Sequence, residues 1–403
     1  MPHISEWWQR YYKTIFLGLF LIVYVGVGIH TESLLWARKP LPVFLIEDFR
    51  YYQRALNDAL QGISPYSLLR IGPGYFYPPP ALFIVEIFSA IPDLLYRSIS
   101  YAIVNIILLL IGVDLIRKSY GYAWSSVWYW YILALFFAPF LEILHIGQIN
   151  TFTVFGLFLL FYFEEQSVLL SSIGLNLAVL TKLSPIVFLP YLVARHKYRI
   201  IIVSLVMMLF LLFLASVRYG SHAVLDYPSV LQWLVTQFRI DTNSQSLIAK
   251  IATISEVTKK IPGLQGTYSW EFNYSLAQRL LTLYFMVIVL VSSLMTFFKP
   301  QPREFLFIIT GLSMTISPNI LWYHHYLFAF LPLLIWLGWR KTHAGWRIWI
   351  LGILLLIQWD RYHLTYGLLI HLSLHLSILV LLYQQFRDFI TGYWFKTITV
   401  TST

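Results

Sequence analysis

The sequence predicts an all-α polytopic membrane protein, and three observations carry that prediction. Of its 403 residues, 59% are hydrophobic and only 11% are charged, whereas soluble domains run roughly 45–50% apolar and about 25% charged. The mean hydropathy is +0.70. The apolar runs are continuous and lack the alternation of barrel strands, which leaves helices with internally satisfied backbones as the way to cross lipid. The net charge of +10 reads as an excess of basic residues in cytoplasmic loops, not as a nucleic-acid footprint. With no cysteine in the chain, disulfides, thiolate metal sites and cysteine nucleophiles are excluded.

Apolar segments near residues 15–29, 99–116, 123–141, 151–163, 167–182, 184–194, 199–217, 274–298, 304–317, 325–339, 346–359 and 366–386 give about twelve helices, some shorter than the usual length of about 20 residues. The first has a basic, aromatic lead (Arg10, Lys13) and no small-residue cleavage site after it, so a retained span is expected. Segment 81–92 is short and carries Pro92, which makes it interfacial or re-entrant. Strict alternation of the remaining segments then puts Arg10/Lys13, Arg117/Lys118, Arg195/Lys197/Arg199, Lys299/Arg303, Arg340/Lys341/Arg347 and Arg387 on one side. By the positive-inside rule that side, with both termini, is cytoplasmic.

The first loop is a carboxylate-bearing, Tyr-rich insert in an otherwise apolar chain. Asp48 opens a short amphipathic helix with aromatic and apolar side chains at 49, 52, 56 and 60, near a 3.6-residue period. Gly62 is placed to end it. Beyond Pro65-Tyr66, the run Tyr75-Phe76-Tyr77-Pro78-Pro79-Pro80 is expected to be extended before the chain enters the membrane at Ala81. Its tyrosines serve either as interfacial anchors or as stacking surfaces.

Four further polar clusters fall on the same outer face: Gly147-Gln148-Ile149-Asn150, Thr181-Lys182-Leu183-Ser184-Pro185, the long loop 218–273, and Ser317-Pro318 with Trp322-Tyr323-His324-His325. Polar groups converging on one cleft are the default site hypothesis. Gln148 and Asn150 can hydrogen-bond a sugar or a phosphate, and Asn150 can equally cap the next helix. Lys182 at a membrane edge is costly unless paired or snorkelling, and Ser184-Pro185 starts a helix whose N-terminus suits an anion. His324 and His325 are adjacent and so diverge on a helix, which argues against a two-histidine metal site; either one can donate to an anionic oxygen. Asn243 and Gln245 line an acceptor pocket or cap the helix that follows them. Arg38, Lys39 and Arg70 are expected at the surface or on membrane-lipid headgroups.

Together, Asp48 with Tyr51-Tyr52 and Ala55, Gly62 with Pro65-Tyr66, Tyr77-Pro78-Pro79, Gly147-Gln148-Ile149-Asn150, Lys182 with Pro185, Asn243 to Leu247, and Ser317-Pro318…Trp322…His324-His325 form an ordered set. It resembles the polyprenol-phosphate-mannose-dependent mannosyltransferases of the GT-C superfamily, relatives of the mycobacterial phosphatidylinositol mannoside mannosyltransferases. The likeness runs from about residue 45 to 335. In one departure, the Asn-Gln-Ser-Leu-like segment carries an additional serine, Ser244.

The resemblance implies one integral membrane glycosyltransferase domain over residues 1–403, a GT-C-type bundle of about twelve helices. Residues 30–98 would form the outer catalytic loop and 218–273 a second long outer loop. It implies sugar transfer, with mannose first in line, from a polyprenyl-phosphate-linked donor to a glycolipid or glycan acceptor at the periplasmic or extracellular face. Asp48 would be the general base. Lys182 and His324 or His325 would hold the donor phosphate, and Tyr51, Tyr52, Tyr66, Tyr77, Gln148, Asn150, Asn243 and Gln245 would bind substrate. Such a displacement inverts the anomeric centre and needs no second catalytic carboxylate. No Asp-x-Asp metal motif is present, and neither metal nor cofactor is expected. Two rivals remain: a related enzyme using an arabinosyl or glucosyl carrier lipid, and a twelve-helix transporter or flippase, which calls for ionisable residues such as Asp114 at mid-membrane.

Overall fold

The computed structural model describes residues 2–36, 47–67, 75–236, 247–248, 250–251, 274–317, 323–339, 342–359 and 364–400. Each of the twelve apolar segments is helical there, and no strand occurs among the described residues. In chain order the helices are α1 (Pro2–Trp36), α2 (Glu47–Leu60), α3 (Ala81–Ser89), α4 (Leu94–Ser119), α5 (Trp124–Val127), α6 (Tyr129–Leu135), α7 (Ala138–Ile146), α8 (Asn150–Phe163), α9 (Val168–Thr181) and α10 (Phe188–Ala194). There follow α11 (Tyr198–Tyr219), α12 (Ser221–Leu225), α13 (Tyr227–Thr236), α14 (Tyr274–Phe298), α15 (Arg303–Ile316), α16 (Leu327–Gly338), α17 (Ala344–Trp359) and α18 (Leu364–Val400). Short 3-10 turns, Ser184–Val187 and Tyr323–Tyr326, precede α10 and α16.

Thr14–Thr31 of α1, all of α4 and α11, Leu276–Phe298 of α14 and Gly367–Thr391 of α18 are long and apolar enough to cross a membrane singly. The pair α6 and α7, bent by 44°, makes a sixth crossing if counted as one span. The protein is therefore an all-α polytopic membrane protein. Helices α8 and α9, 14 residues each, fall short of the span length of about 20 residues. They are packed inside the bundle, where Gly156 and Gly174 bring their backbones so close that a Cβ on Gly156 would lie 2.4 Å from the Gly174 carbonyl. Small residues permit such approach where lipid offers no hydrophobic drive.

The segment predicted as one span at 123–141 is broken. Pro139, in the first turn of α7, has no N–H to continue α6, and the chain re-enters helix at a new angle. The free backbone groups are taken by one buried amide from α17: Gln358 accepts from Ala138 N at 2.5 Å and donates to the Phe136 carbonyl at 2.6 Å.

Helices α15 and α16 form the centre. Phe305 to Ile316 and the whole of α16 are buried, as befits helices that are apolar all round. The outermost helix, α11, exposes Leu205, Leu209 and Phe213.

The polar residues sort to two ends. At one end Arg195, between α10 and α11, pairs with Glu164 at 3.0 Å and Glu165 at 2.7 Å and reaches the Gln301 carbonyl before α15. Lys299 donates to the Asp388 carbonyl at 2.6 Å. Tyr122 donates to the Gly338 carbonyl at 2.8 Å, and Trp339 packs on Phe305. Asp114, the charge that a transporter would need at mid-membrane, lies in this region with Arg117 at 2.7 Å, Lys118 at 3.0 Å and the Tyr131 hydroxyl at 2.9 Å. Its demands are met by structural partners. Of the clusters singled out from the sequence, Asp48, Gln148, Asn150, Lys182, His324 and His325 lie at the opposite end.

Candidate active site

Helix α2 carries the carboxylate. It is amphipathic, but its buried face is Phe49, Tyr52, Ala55, Leu56 and Ala59, while Leu60 is exposed; the expected fourth apolar position is thus Ala59. Gly62, at a positive φ of 77°, stops the helix as expected. The proline run differs from the extended path anticipated for it. Ala81, Leu82 and Phe83 donate to the carbonyls of Pro78, Pro79 and Pro80, and Pro80 is itself helical at φ −62° and ψ −18°. Proline's fixed φ suits a first helical turn, where its missing N–H costs nothing. The run therefore nucleates α3, which at nine residues is too short to span.

Gly147 ends α7 in the left-handed region, at φ 76° and ψ 38°, a geometry that costs glycine little. This turn delivers Gln148 beneath α2. The Gln148 side-chain amide donates to Asp48 Oδ2. Its Oε1 accepts from the Tyr52 hydroxyl at 2.8 Å and from the Tyr77 hydroxyl at 2.5 Å, and the two tyrosine oxygens are 3.0 Å apart. Tyr101 of α4 donates to the Gln148 carbonyl at 2.8 Å. Burial raises the Tyr52 hydroxyl pKa, and neighbouring Tyr77 and Asp48 add to the shift. Tyr77 is likewise raised, chiefly by burial. Both phenols thus remain protonated donors.

Tyr66 is buried behind this network, donating to the Tyr77 carbonyl at 3.0 Å and stacking on Tyr75. Tyr51 is exposed on α2, next to the buried Tyr52. Asn150 is the first residue of α8; the N-cap position falls to Ile149, so the expected cap is not made. Asn150 is fully buried, and both polar atoms of its side chain lack a protein hydrogen-bond partner among the described residues. A buried amide left unpaired costs about 1–3 kcal/mol per group. Asn243 and Gln245 lie outside the described residues.

A second cluster sits where α9 ends. Thr153 of α8 and Thr181 of α9 share a hydrogen bond at 2.9 Å. The next residue, Lys182, leaves the helix in an extended conformation. Its Nζ lies 2.7 Å from His325 Nε2 and 4.8 Å from the centre of the Phe328 ring. Burial pushes its ammonium down to about 7. The helix N-terminus expected at Ser184-Pro185 is a four-residue 3-10 turn, too short for a row of aligned amides, so anion binding here falls to side chains. On the 323–326 turn the histidines diverge, as adjacency requires: His325 faces Lys182, and His324 Nδ1 lies 3.6 Å from Glu142 Oε2 of α7.

Helices α7 and α8 join the two clusters. Gln148 lies in the turn between these helices and Thr153 in the first turn of α8. Glu142 was missed by sequence reading; a lone carboxylate three residues before His145 in an apolar helix was the available signal. Among the described residues no three His, Asp or Glu side chains gather as a metal site. Cavities of about 640 and 590 Å³ lie along α17, one bounded also by Ser373 of α18 and the other by Phe16 and Leu19 of α1. Their apolar walls place them away from this chemistry.

The arrangement offers a carboxylate oriented by an amide and a buried amine against an imidazole. The first suits proton abstraction and the second an anion. No curated protein gives a significant match to the chain. The model of Glycosyltransferase family 87 matches residues 75–318, well over half of the 403 residues. That stretch includes Tyr77, Gln148, Asn150 and Lys182; Asp48, Tyr51, Tyr52 and Tyr66 precede it, and His324 and His325 follow it. The chain belongs to glycosyltransferase family 87 and is a membrane glycosyltransferase.

Proposed function

We propose that this enzyme moves a sugar, mannose in the first instance, from a polyprenyl-phosphate-linked donor to a glycolipid or glycan acceptor, inverting the anomeric centre. The reaction is assigned to the periplasmic or extracellular face of the cell membrane, with both termini cytoplasmic. The sorting of basic loops to the opposite end supports that orientation. The observation that carries the reading is the Asp48–Gln148 hydrogen bond at one side of the α7–α8 corner and the Lys182–His325 contact at the other.

In this reading Asp48 takes the proton of the acceptor hydroxyl as its oxygen attacks the anomeric carbon. Gln148 holds one carboxylate oxygen and so limits the orientations the base samples. The bond from the anomeric carbon to the phosphate oxygen breaks, and its electron pair leaves with polyprenyl phosphate. Lys182 and His325 meet the charge that develops there. Asn150 supplies amide contacts to a sugar hydroxyl, which its unpaired state favours. Tyr51, exposed beside Asp48, is assigned to the acceptor side; Tyr52, Tyr66 and Tyr77 act by building the wall that holds Gln148.

The test is transfer by purified protein in lipid from radiolabelled polyprenyl-phosphate-mannose, with arabinosyl and glucosyl carrier lipids in parallel, reading product and anomeric configuration. Inverted transfer of mannose supports the reading as stated. Transfer of another sugar corrects the donor. No transfer from any carrier lipid defeats it.

A further inference from the structure

Glu142 lies in the last two turns of α7, the helix that ends in the Gly147-Gln148 turn. Its side chain is 12% exposed and that of His324 3%. Helix α7 packs directly on the 323–326 turn. At 3.6 Å the approach of Glu142 Oε2 to His324 Nδ1 is longer than a hydrogen bond; such approaches commonly tighten when substrate completes a site. The His324 ring stands edge-on to His325, with centroids 4.5 Å apart and an interplanar angle of 84°, and His325 in turn touches Lys182. Glu142, His324, His325 and Lys182 thus form a row running from the carboxylate to the cation assigned to the donor phosphate.

We propose that Glu142 is a positioning residue of this site. Its carboxylate fixes the His324 ring through Nδ1, and that ring, edge-on to His325, holds His325 toward Lys182 and the departing phosphate. The assignment rests on the transfer reading above. As the bond from sugar to phosphate oxygen breaks, its electron pair stays on that oxygen, and Lys182 with His325 meets the charge. Asp48 takes the proton of the acceptor hydroxyl and later returns it to water, so the transfer balances. A buried carboxylate behind an imidazole orients the ring without itself touching the reacting atoms.

The experiment compares wild type, Glu142→Gln and Glu142→Asp in lipid, measuring kcat and donor KM with polyprenyl-phosphate-mannose and thermal unfolding of each protein. Glu142→Gln is expected to lower kcat by about 10²-fold, the cost of a misplaced site group, with donor KM changed less than about threefold. Glu142→Asp is expected to recover at least about tenfold of that loss. Equal kcat in wild type and Glu142→Gln overturns the assignment alone. So does a loss seen equally in Glu142→Asp and matched by lowered unfolding temperature in both, since that marks a structural role. A wild type that transfers no sugar from any carrier lipid overturns the transfer reading, and this assignment with it.

Discussion

Gln148 holds Asp48 from one end of its amide while Tyr52 and Tyr77 hold Gln148 from the other. A residue from the α7–α8 turn therefore fixes a carboxylate 100 positions earlier in the chain. Gln148→Leu removes the donor to Asp48 and strands two buried phenols. Stability should drop by about 1–3 kcal/mol and kcat by roughly 10- to 100-fold, because a base free to swing loses productive geometry. Thermal unfolding and single-turnover transfer read the two effects separately. Full activity in Gln148→Leu would remove Gln148 from the site.

The two neighbouring tyrosines should behave oppositely. Tyr52 is buried in the network and Tyr51 is exposed. Tyr52→Phe deletes a hydrogen bond and should destabilise by about 0.5–1.5 kcal/mol. Tyr51→Phe and Tyr51→Ala should leave stability within about 0.5 kcal/mol, with any effect confined to acceptor KM. Chemical denaturation beside acceptor titrations distinguishes them, and a destabilised Tyr51→Phe would contradict the placement.

Donor binding should depend on pH through Lys182, whose ammonium burial brings down to about 7. In the proposed reaction the donor's anionic phosphate binds the protonated amine. Below pH 7 the amine already carries its proton and affinity is constant; above it each binding event must take up a proton, and affinity falls by up to about tenfold per pH unit. Lys182→Arg keeps its charge throughout and should flatten the profile. Donor titrations between pH 6 and 9 provide the check, and a flat wild-type profile would count against the role of Lys182.

Gln358 is the staple of the broken span. It is fully buried and bonded to Ala138 N and the carbonyls of Phe136 and Tyr24. Gln358→Leu leaves Ala138 N and the Phe136 carbonyl without this partner and should destabilise by about 2–6 kcal/mol, two groups at about 1–3 kcal/mol each. Gly28→Ala should act on the same joint, since its Cβ would meet the Phe136 carbonyl at 2.6 Å and Gln358 Nε2 at 2.9 Å. Thermal unfolding in lipid measures both; unchanged unfolding temperatures would show that the bend between α6 and α7 holds without Gln358.

The helices were legible because lipid imposes unbroken apolar runs, and the stop at Gly62 because glycine is the usual residue past a helix end. The break inside 123–141 was overlooked although Pro139 announced it, since apolar residues continue on both sides. Asp48, Gln148, Lys182 and the histidines stood out as polar groups in an apolar chain. Their partners did not: Gln148 with Asp48, Lys182 with His325 and Glu142 with His324 join residues 100, 143 and 182 positions apart, which no periodicity encodes. The helical period separates Tyr52, on the apolar face, from Tyr51, but it does not say that Tyr52 meets Gln148.

The central claim is that Asp48 is the base of an inverting sugar transfer. It is tested most directly by single-turnover transfer from polyprenyl-phosphate-mannose in wild type and Asp48→Asn, with unfolding temperature as the control for folding. Asparagine preserves the shape and can still pair with Gln148, so the account predicts a folded protein whose rate falls by about 10²–10⁴-fold with donor binding retained. A folded Asp48→Asn protein that transfers at the wild-type rate would contradict it.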